Sequence, residues 1–463
     1  MRAPTDRPNI ILINCDDLGY GDLGCYGSRR NSTPALDRMA AEGMRFTDFY
    51  MAAPVCSPSR GAMMTGCYPR RIGFATFDGR WVLFPGQGVG LNPDEVTIAD
   101  LLKERGYATR IVGKWHCGDQ PEFMPTRFGF DGYYGLPYSN DMGRQRGREN
   151  QYPPLPLLRD EQVIQQQPDQ ASLTERYVED CVRFIRDNRE QPFFLYFAHM
   201  YVHLPLYAPK RFMEQSRNGR YGAAVECVDW SVDVLLSELR RLGLDENTLV
   251  VFTSDNGSRN RDEGGSNAPL RGTKGTTWEG GMRLPCIVRW PGRVSAGETC
   301  SELATSMDLL PTLARLAGTR EPDDRVIDGH DIAPLMLGEE GAESPWEEFY
   351  YYYRDRLDAV RRGRWKLRLQ FDEEGKVVPD GEQLYDLQAD VGETTDLSGD
   401  LPDVVAEMEE ALNRGREELG DEATGAEGRN LRPIGRVEDP EPLTEYDPDH
   451  PYIVAIYDLE DAG

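Results

Sequence analysis

The segment Cys56-Ser57-Pro58-Ser59-Arg60-Gly61, followed by Ala62-Met63-Met64-Thr65-Gly66, holds the residue types of this sequence best suited to chemistry. Pro58 near a first turn and the small residues after it open a helix, which places Cys56 beside free backbone N–H groups that attract an anion. A lone cysteine at a helix start is more commonly structural and inert than catalytic, so the segment by itself leaves both readings open. Four more polar clusters each follow an apolar run. Asp16 and Asp17 follow Ile10-Ile11-Leu12-Ile13, and Lys114 and His116 follow Thr109-Arg110-Ile111-Val112. His199 and His203 follow Phe193-Phe194-Leu195-Tyr196-Phe197, and Asp255 and Asn256 follow Leu249-Val250-Val251-Phe252. Carboxylates, amines and imidazoles of this kind hold metals, move protons and neutralise anions. One Asp after a strand is usually a helix cap, but capping alone does not explain such clusters after every one of these runs.

The elements that must position them are legible. The apolar runs have strand length, and segments with apolar residues at three-to-four spacing lie between them: Leu36 to Glu42, Ile98 to Arg105, Leu173 to Asn188 and Ala223 to Leu242. This alternation predicts an α/β fold, a large mostly parallel sheet sandwiched by helices. Ligands in such sheets sit outside the carboxyl ends of the strands, where all the polar clusters fall. The chain has 463 residues, more than a domain of roughly 150 residues, and its composition changes from about Leu337. GEEGAESPWEE reads as a linker. Phe349 to Tyr353, Leu357 to Val360 and Trp365 to Leu369 read as antiparallel strands around an Arg-Gly turn, and Val404 to Leu419 as a helix. The expected division is a catalytic α/β domain over 1–340 and a smaller C-terminal α+β subdomain over 341–463, with a short antiparallel sheet, a helix and an acidic tail that wraps the surface.

Lys and Arg number 52 against 79 Asp and Glu, a net charge of -27. That field repels nucleic acid and anionic membrane, so an anionic substrate requires a locally positive pocket. No stretch approaches the ~20 apolar residues of a membrane span. The opening MRAPTDRP is polar and carries no signal-peptide pattern. The nine cysteines (15, 25, 56, 67, 117, 181, 227, 286 and 300) lack CxxC spacing, which argues against a disulfide framework and a structural zinc site. The expected compartment is therefore a reducing cytoplasm, or the periplasm or exterior if a leader has been trimmed.

The Cys56 segment resembles the sulfatase signature of Cys, any residue, Pro, any residue, Arg and then a small-residue helix. Other segments match in order. Asn9 to Asp22 looks like the family's opening strand with paired Asp, Gly113-Lys114-Trp115-His116 like its GKWH, and Ser254-Asp255-Asn256-Gly257 like its SDNG. Lys274-Gly275-Thr276-Thr277-Trp278-Glu279-Gly280-Gly281 looks like its lysine segment, and Leu384-Tyr385-Asp386-Leu387 with Gly392-Glu393-Thr394 like its second-domain signature. Leu136-Pro137-Tyr138-Ser139 and Phe194 to Pro205 are most similar to the arylsulfatase A-like members of these formylglycine-dependent, alkaline phosphatase-like enzymes.

The resemblance implies that a formylglycine-generating enzyme converts Cys56 to 3-oxoalanine, and that one calcium ion is held by Asp16, Asp17, Asp255 and Asn256 with residue 56. Those side chains offer only hard oxygens, which suit calcium with its six to eight ligands better than zinc; the bland reading is a capping pair plus an Asx turn. In the implied reaction the hydrated aldehyde attacks sulfur, with Asp255 a candidate to activate it and Arg60 orienting it. Lys114, Lys274, Arg60 and the ion neutralise the equatorial oxygens. His203 and Lys274 contact the sulfate and assist the leaving alcohol, and Ser139 binds sulfate. His116 takes the proton that lets the hemiacetal expel sulfate. His199, His330 and His450 are expected to be structural.

The expected substrate is a small aryl or alkyl sulfate or the end of a sulfated sugar, and a homo-oligomer is possible. Two competitors are a formylglycine-dependent phosphonate monoester or phosphodiester hydrolase and a non-catalytic binder of sulfated glycans. Asn256, where the phosphonate-cleaving relatives tend to offer His, favours sulfate. The segments Gly73 to Gly90, Met142 to Gln170 and Arg259 to Ala268 are expected to rim the pocket, with Met142 to Gln170 the expected lid or substrate contact.

Overall fold

A computed structural model describes residues 7–147 and 152–454. Among these, eleven strands form one large sheet. Its centre runs Thr248–Ser254, Asn9–Cys15, Phe193–Ala198, Ala108–Lys114 and Gly132–Leu136, all parallel. The four apolar runs singled out above are thus immediate neighbours, and their carboxyl ends form one rim. Asn9–Cys15 shows why the sheet takes helices on both faces. Ile10 and Leu12 enter one hydrophobic cluster with Ile111, Phe194 and Leu249. Ile11 and Ile13 enter the other with Val112, Phe197 and Val250, as the alternation of strand side chains requires.

The flanks carry the antiparallel pairings of this mostly parallel sheet. Arg283–Arg289 is antiparallel to both Thr248–Ser254 and Met44–Tyr50. On the other side Pro156–Arg159 and Gln162–Gln166 form an antiparallel hairpin beyond Gly132–Leu136. Residues 156–159 and 162–166 of the Met142 to Gln170 segment are therefore part of the sheet; residues 148–151 lie outside the described residues. The hairpin escaped sequence reading because none of Gln162-Val163-Ile164-Gln165-Gln166 is buried and the segment carries little apolar alternation.

The C-terminal sheet is antiparallel, in the order Phe349–Tyr353, Arg356–Arg362, Trp365–Arg368 and Gln383–Asp386. Gly363, at φ 56°, makes the tight turn between the second and third strands. The helix Pro402–Leu419 covers the sheet through Met408, Ala411, Leu412 and Leu419. Tyr50, Ala62, Met282 and Met307 from the larger sheet's side share that cluster, so the two sheets meet on a common apolar core. After Gly420 the chain returns to the first part. Gly435–Arg436 pairs with Val89–Gly90, and Arg432 forms an ion pair with the buried Glu95 at 2.7 Å. No helix among the described residues is long and apolar enough to cross a membrane, and none of the nine cysteines forms a disulfide.

Candidate active site

The helix Cys56–Thr65 opens at the rim, with Cys56 as its first residue and Pro58 within its first turn. Gly66 closes it in the left-handed region at φ 69°, donating its N–H to the Ala62 carbonyl at 2.9 Å. Cys56 is 2% exposed, and its sulfur lies within 4.8 Å of carboxylate oxygens of Asp16 and Asp255. Ser57 Oγ accepts a hydrogen bond from Leu83 N at 3.1 Å, and Ser59 Oγ donates to the Asp255 carbonyl at 2.5 Å. These bonds fix the helix against both the 73–90 segment and the strand end at Ser254.

Arg60 is wholly buried and ties the rim together. Its Nε donates to Asp255 Oδ2 at 2.8 Å, one Nη to the Lys114 carbonyl at 3.0 Å, and the other to Asp16 Oδ2 at 3.3 Å. Lys114 Nζ donates to Asp16 Oδ2 and, at 2.8 Å, to Ser139 Oγ. Gly113 lets the Lys114 strand lie this close to its neighbour: a Cβ there would stand 1.8 Å from the Ala198 carbonyl oxygen. Lys274 Nζ lies 2.9 Å from Asp17 Oδ1 and 3.0 Å from Oδ2. Asn256 Nδ2 donates to Asp17 Oδ1 at 2.7 Å, and His203 Nε2 is 3.9 Å from Asp17 Oδ2. Every sequence-proposed site residue therefore falls in one buried constellation. Asp17 and His116 adopt φ 62° and 61°, a strained backbone of the kind that collects at functional sites.

Charge balance explains the protonation states. Burial would raise the Asp16 carboxyl, but Lys114, His203 and Arg60 outweigh it and hold the group well below the ordinary range. Burial and the charge of Asp16 push Asp255 up, against the pull of Arg60 and Lys114. Burial raises the Cys56 thiol, with Lys114 and Lys274 opposing. Burial and then Lys114 keep His116 neutral. Its Nε2 faces the Leu83 carbonyl at 3.0 Å, so that nitrogen carries the proton and Nδ1, which has no partner, keeps its lone pair. Asp16 Oδ1 and Asn256 Oδ1 are likewise buried without a partner. Replacing Lys114 with Met would strip Asp16 of its nearest countercharge, and a loss of about 3–5 kcal/mol in unfolding free energy is expected from denaturant titration.

His199 is buried against Ser231 Oγ at 2.8 Å, His330 packs on Trp346 and His450 on Tyr452, as their structural reading expects. The site also uses residues that sequence reasoning passed over. Leu83 orients His116 through its carbonyl, which no side-chain motif reveals. Asp22 is buried beneath the Asp17 turn and accepts hydrogen bonds from Gly19 N and Ser266 N, at 2.8 and 2.9 Å. Its signal was a third carboxylate in the Asn9 to Asp22 segment.

The family model described as Sulfatase matches residues 8–319, two thirds of the chain and the whole of this constellation. The chain belongs to the sulfatase family. A model of the N-sulphoglucosamine sulphohydrolase C-terminal region matches residues 273–418 of this sulfatase. N-acetylgalactosamine-6-sulfatase of Canis lupus familiaris is 44% identical over 376 residues, covering 78% of this chain and 71% of that protein. Human arylsulfatase A is 40% identical over 448 residues, covering 88% of this chain and 86% of that protein. The solved structure of Ps i-CgsB in complex with k-i-k-neocarrahexaose superposes with a TM-score of 0.78 at 31% identity, covering 92% of this chain and 95% of that one. The protein is a sulfuric ester hydrolase of the alkaline phosphatase-like superfamily.

Proposed function

We propose that this sulfatase cleaves a small sulfate monoester, an aryl sulfate or the terminal sulfated residue of a saccharide, with Cys56 in its formylglycine form as nucleophile and one calcium ion beside it. The observation that carries the reading is the position of Cys56, enclosed with Asp16 and Asp255 at a helix N-terminus under the charges of Lys114 and Lys274. A raised thiol pKa suits a poor thiolate nucleophile, so conversion to the aldehyde gives this position its chemistry. The maturing enzyme is then a required partner. The hydrated aldehyde supplies one hydroxyl for attack and a second through which sulfate is released.

The metal reading rests on donor chemistry. Asp16, Asp17, Asp255 and Asn256 offer only oxygen, and the buried, unpartnered Asp16 Oδ1 and Asn256 Oδ1 are acceptors in need of a cation. His203 also comes within 4.8 Å of Asp16 and Asp17 oxygens, and is assigned to substrate because an all-oxygen set already suits calcium. A bound calcium ion supplies positive charge to the sulfate oxygens. Lys114, Ser139, Lys274 and His203 bind and orient the sulfate, Arg60 fixes Asp255 for the proton of the attacking hydroxyl, and Lys274 and His203 serve the leaving alcohol. The neutral His116, with its lone pair on Nδ1, is the base for the second hydroxyl.

His203→Ala is expected to lower kcat by about 10²–10⁴, measured with a nitrophenyl sulfate. The same assay tests the reaction class: nitrophenyl sulfate should turn over faster than a nitrophenyl phosphonate, and a preference for the phosphonate would replace this reading. Residues 1–340 form the proposed catalytic unit and 341–463 its C-terminal subdomain. The nine unpaired cysteines support a reducing compartment.

A further inference from the structure

Lys274 reaches the site from the segment 271–281, most of which is loop. Three backbone hydrogen bonds hold the segment from the catalytic side: Lys274 N to the Ser258 carbonyl at 3.0 Å, Gly275 N to the Pro54 carbonyl at 2.9 Å, and Gly257 N to the Gly281 carbonyl at 3.0 Å. The C-terminal subdomain grips the same segment through buried side chains. Lys366, in the strand Trp365–Arg368 and 0% exposed, donates from Nζ to the Thr277 carbonyl at 2.9 Å and to Glu279 Oε1 at 3.0 Å. It also lies 2.8 Å from Glu393 Oε1. Glu393 accepts from Glu279 N at 2.9 Å through Oε2, and its carbonyl accepts from Arg271 at 2.8 Å. Arg368 donates to Thr277 Oγ at 2.7 Å, and the guanidinium groups of Arg271 and Arg368 lie 3.7 and 4.0 Å from the Trp278 ring centroid.

We infer that Lys366 and Arg368 are positioning residues for the sulfatase reaction: the C-terminal sheet sets the place of the Lys274 ammonium through Thr277, Trp278 and Glu279. Apolar contact already joins the two sheets. A network of buried ionic groups is instead aimed at the few residues that follow the catalytic lysine, where partner removal is costly and where misplacement of about 1 Å can cost ~10²-fold in rate. The subdomain thereby becomes part of the active site without touching substrate. The inference rests on the assignment of Lys274 to the sulfate.

The test is a double-mutant cycle on the converted, calcium-loaded enzyme, read as kcat and KM for a nitrophenyl sulfate. Arg368→Gln keeps the buried carboxylates paired with Lys366, and a fall of about tenfold to a hundredfold in kcat/KM is expected. In a Lys274→Ala background the same change should cost nothing further, because the group it positions is gone. Lys366→Met is the stronger form; should it fail to fold, Arg368→Gln and Trp278→Phe carry the test. Additive losses in the two backgrounds, or full activity in Arg368→Gln, would overturn the inference. Unchanged turnover in Lys274→Ala alone would overturn the assignment of Lys274 and this inference with it, whereas a large Lys274→Ala effect beside silent subdomain variants would overturn the inference alone.

Discussion

Cys56→Ala is expected to lose at least ~10⁴-fold in kcat against a sulfate ester, the scale on which removal of a covalent nucleophile acts. The fold should survive. Cys56 is the first residue of its helix, after the N-cap Val55, and its side chain is small, so the melting temperature should stay close to that of the parent. The effect cannot be reproduced by thiol chemistry in the unconverted parent, because burial raises the Cys56 thiol and leaves little thiolate. Equal activity in Cys56→Ala and the parent, by steady-state assay of matched preparations, would remove residue 56 from the mechanism. Lys114, His116 and Arg60 would then need another nucleophile, and the Ser139 hydroxyl bound to Lys114 would be the first to test.

Calcium removal is the second large effect expected. Asp16 oxygens lie within 4.8 Å of Asp17 on one side and of Asp255 on the other, with Arg60, Lys114 and Lys274 as countercharges. Dialysis against a calcium chelator should abolish turnover. Returning calcium at about 100 times its dissociation constant should restore turnover and add about 2.7 kcal/mol to the unfolding free energy, seen as a calcium-dependent rise in melting temperature. Asn256→Ala should weaken that rise, since Asn256 Oδ1, like Asp16 Oδ1, is a buried acceptor without a partner. Restoration by zinc and not by calcium would shift the ligand set toward His203, the softer donor beside Asp16 and Asp17.

Much of this site was legible because the chain announces its rim: each central strand is a short apolar run that stops at the residues it delivers, as Ile10 to Ile13 stops before Asp16 and Asp17. The register of the parallel sheet then brings Asp17, Lys114, His203 and Asp255 together with no further instruction. What stayed hidden depends on contacts between distant residues with weak local signals. The Leu83 carbonyl that sets the His116 tautomer is a backbone group. The pairing of Gly435–Arg436 with Val89–Gly90 involves two residues on each side, too few for any periodicity. The strands within 142–170 went unread because Arg159 is exposed and the glutamines of 162–166 sit on the partly exposed outer strand, where polar side chains carry no penalty. Lys366 and Glu393 gave no sign of burial, because lysine and glutamate are ordinarily solvated and only their mutual pairing admits them to the interior.

The most direct test of the account is the mass of the peptide containing Cys56, taken from protein made in its own host. Conversion to the aldehyde replaces the thiol and lightens the residue by roughly 18 Da, and the account expects that species in the active preparation, in proportion to its sulfatase turnover. An unmodified Cys56 in every molecule of a preparation that hydrolyses sulfate esters would contradict it.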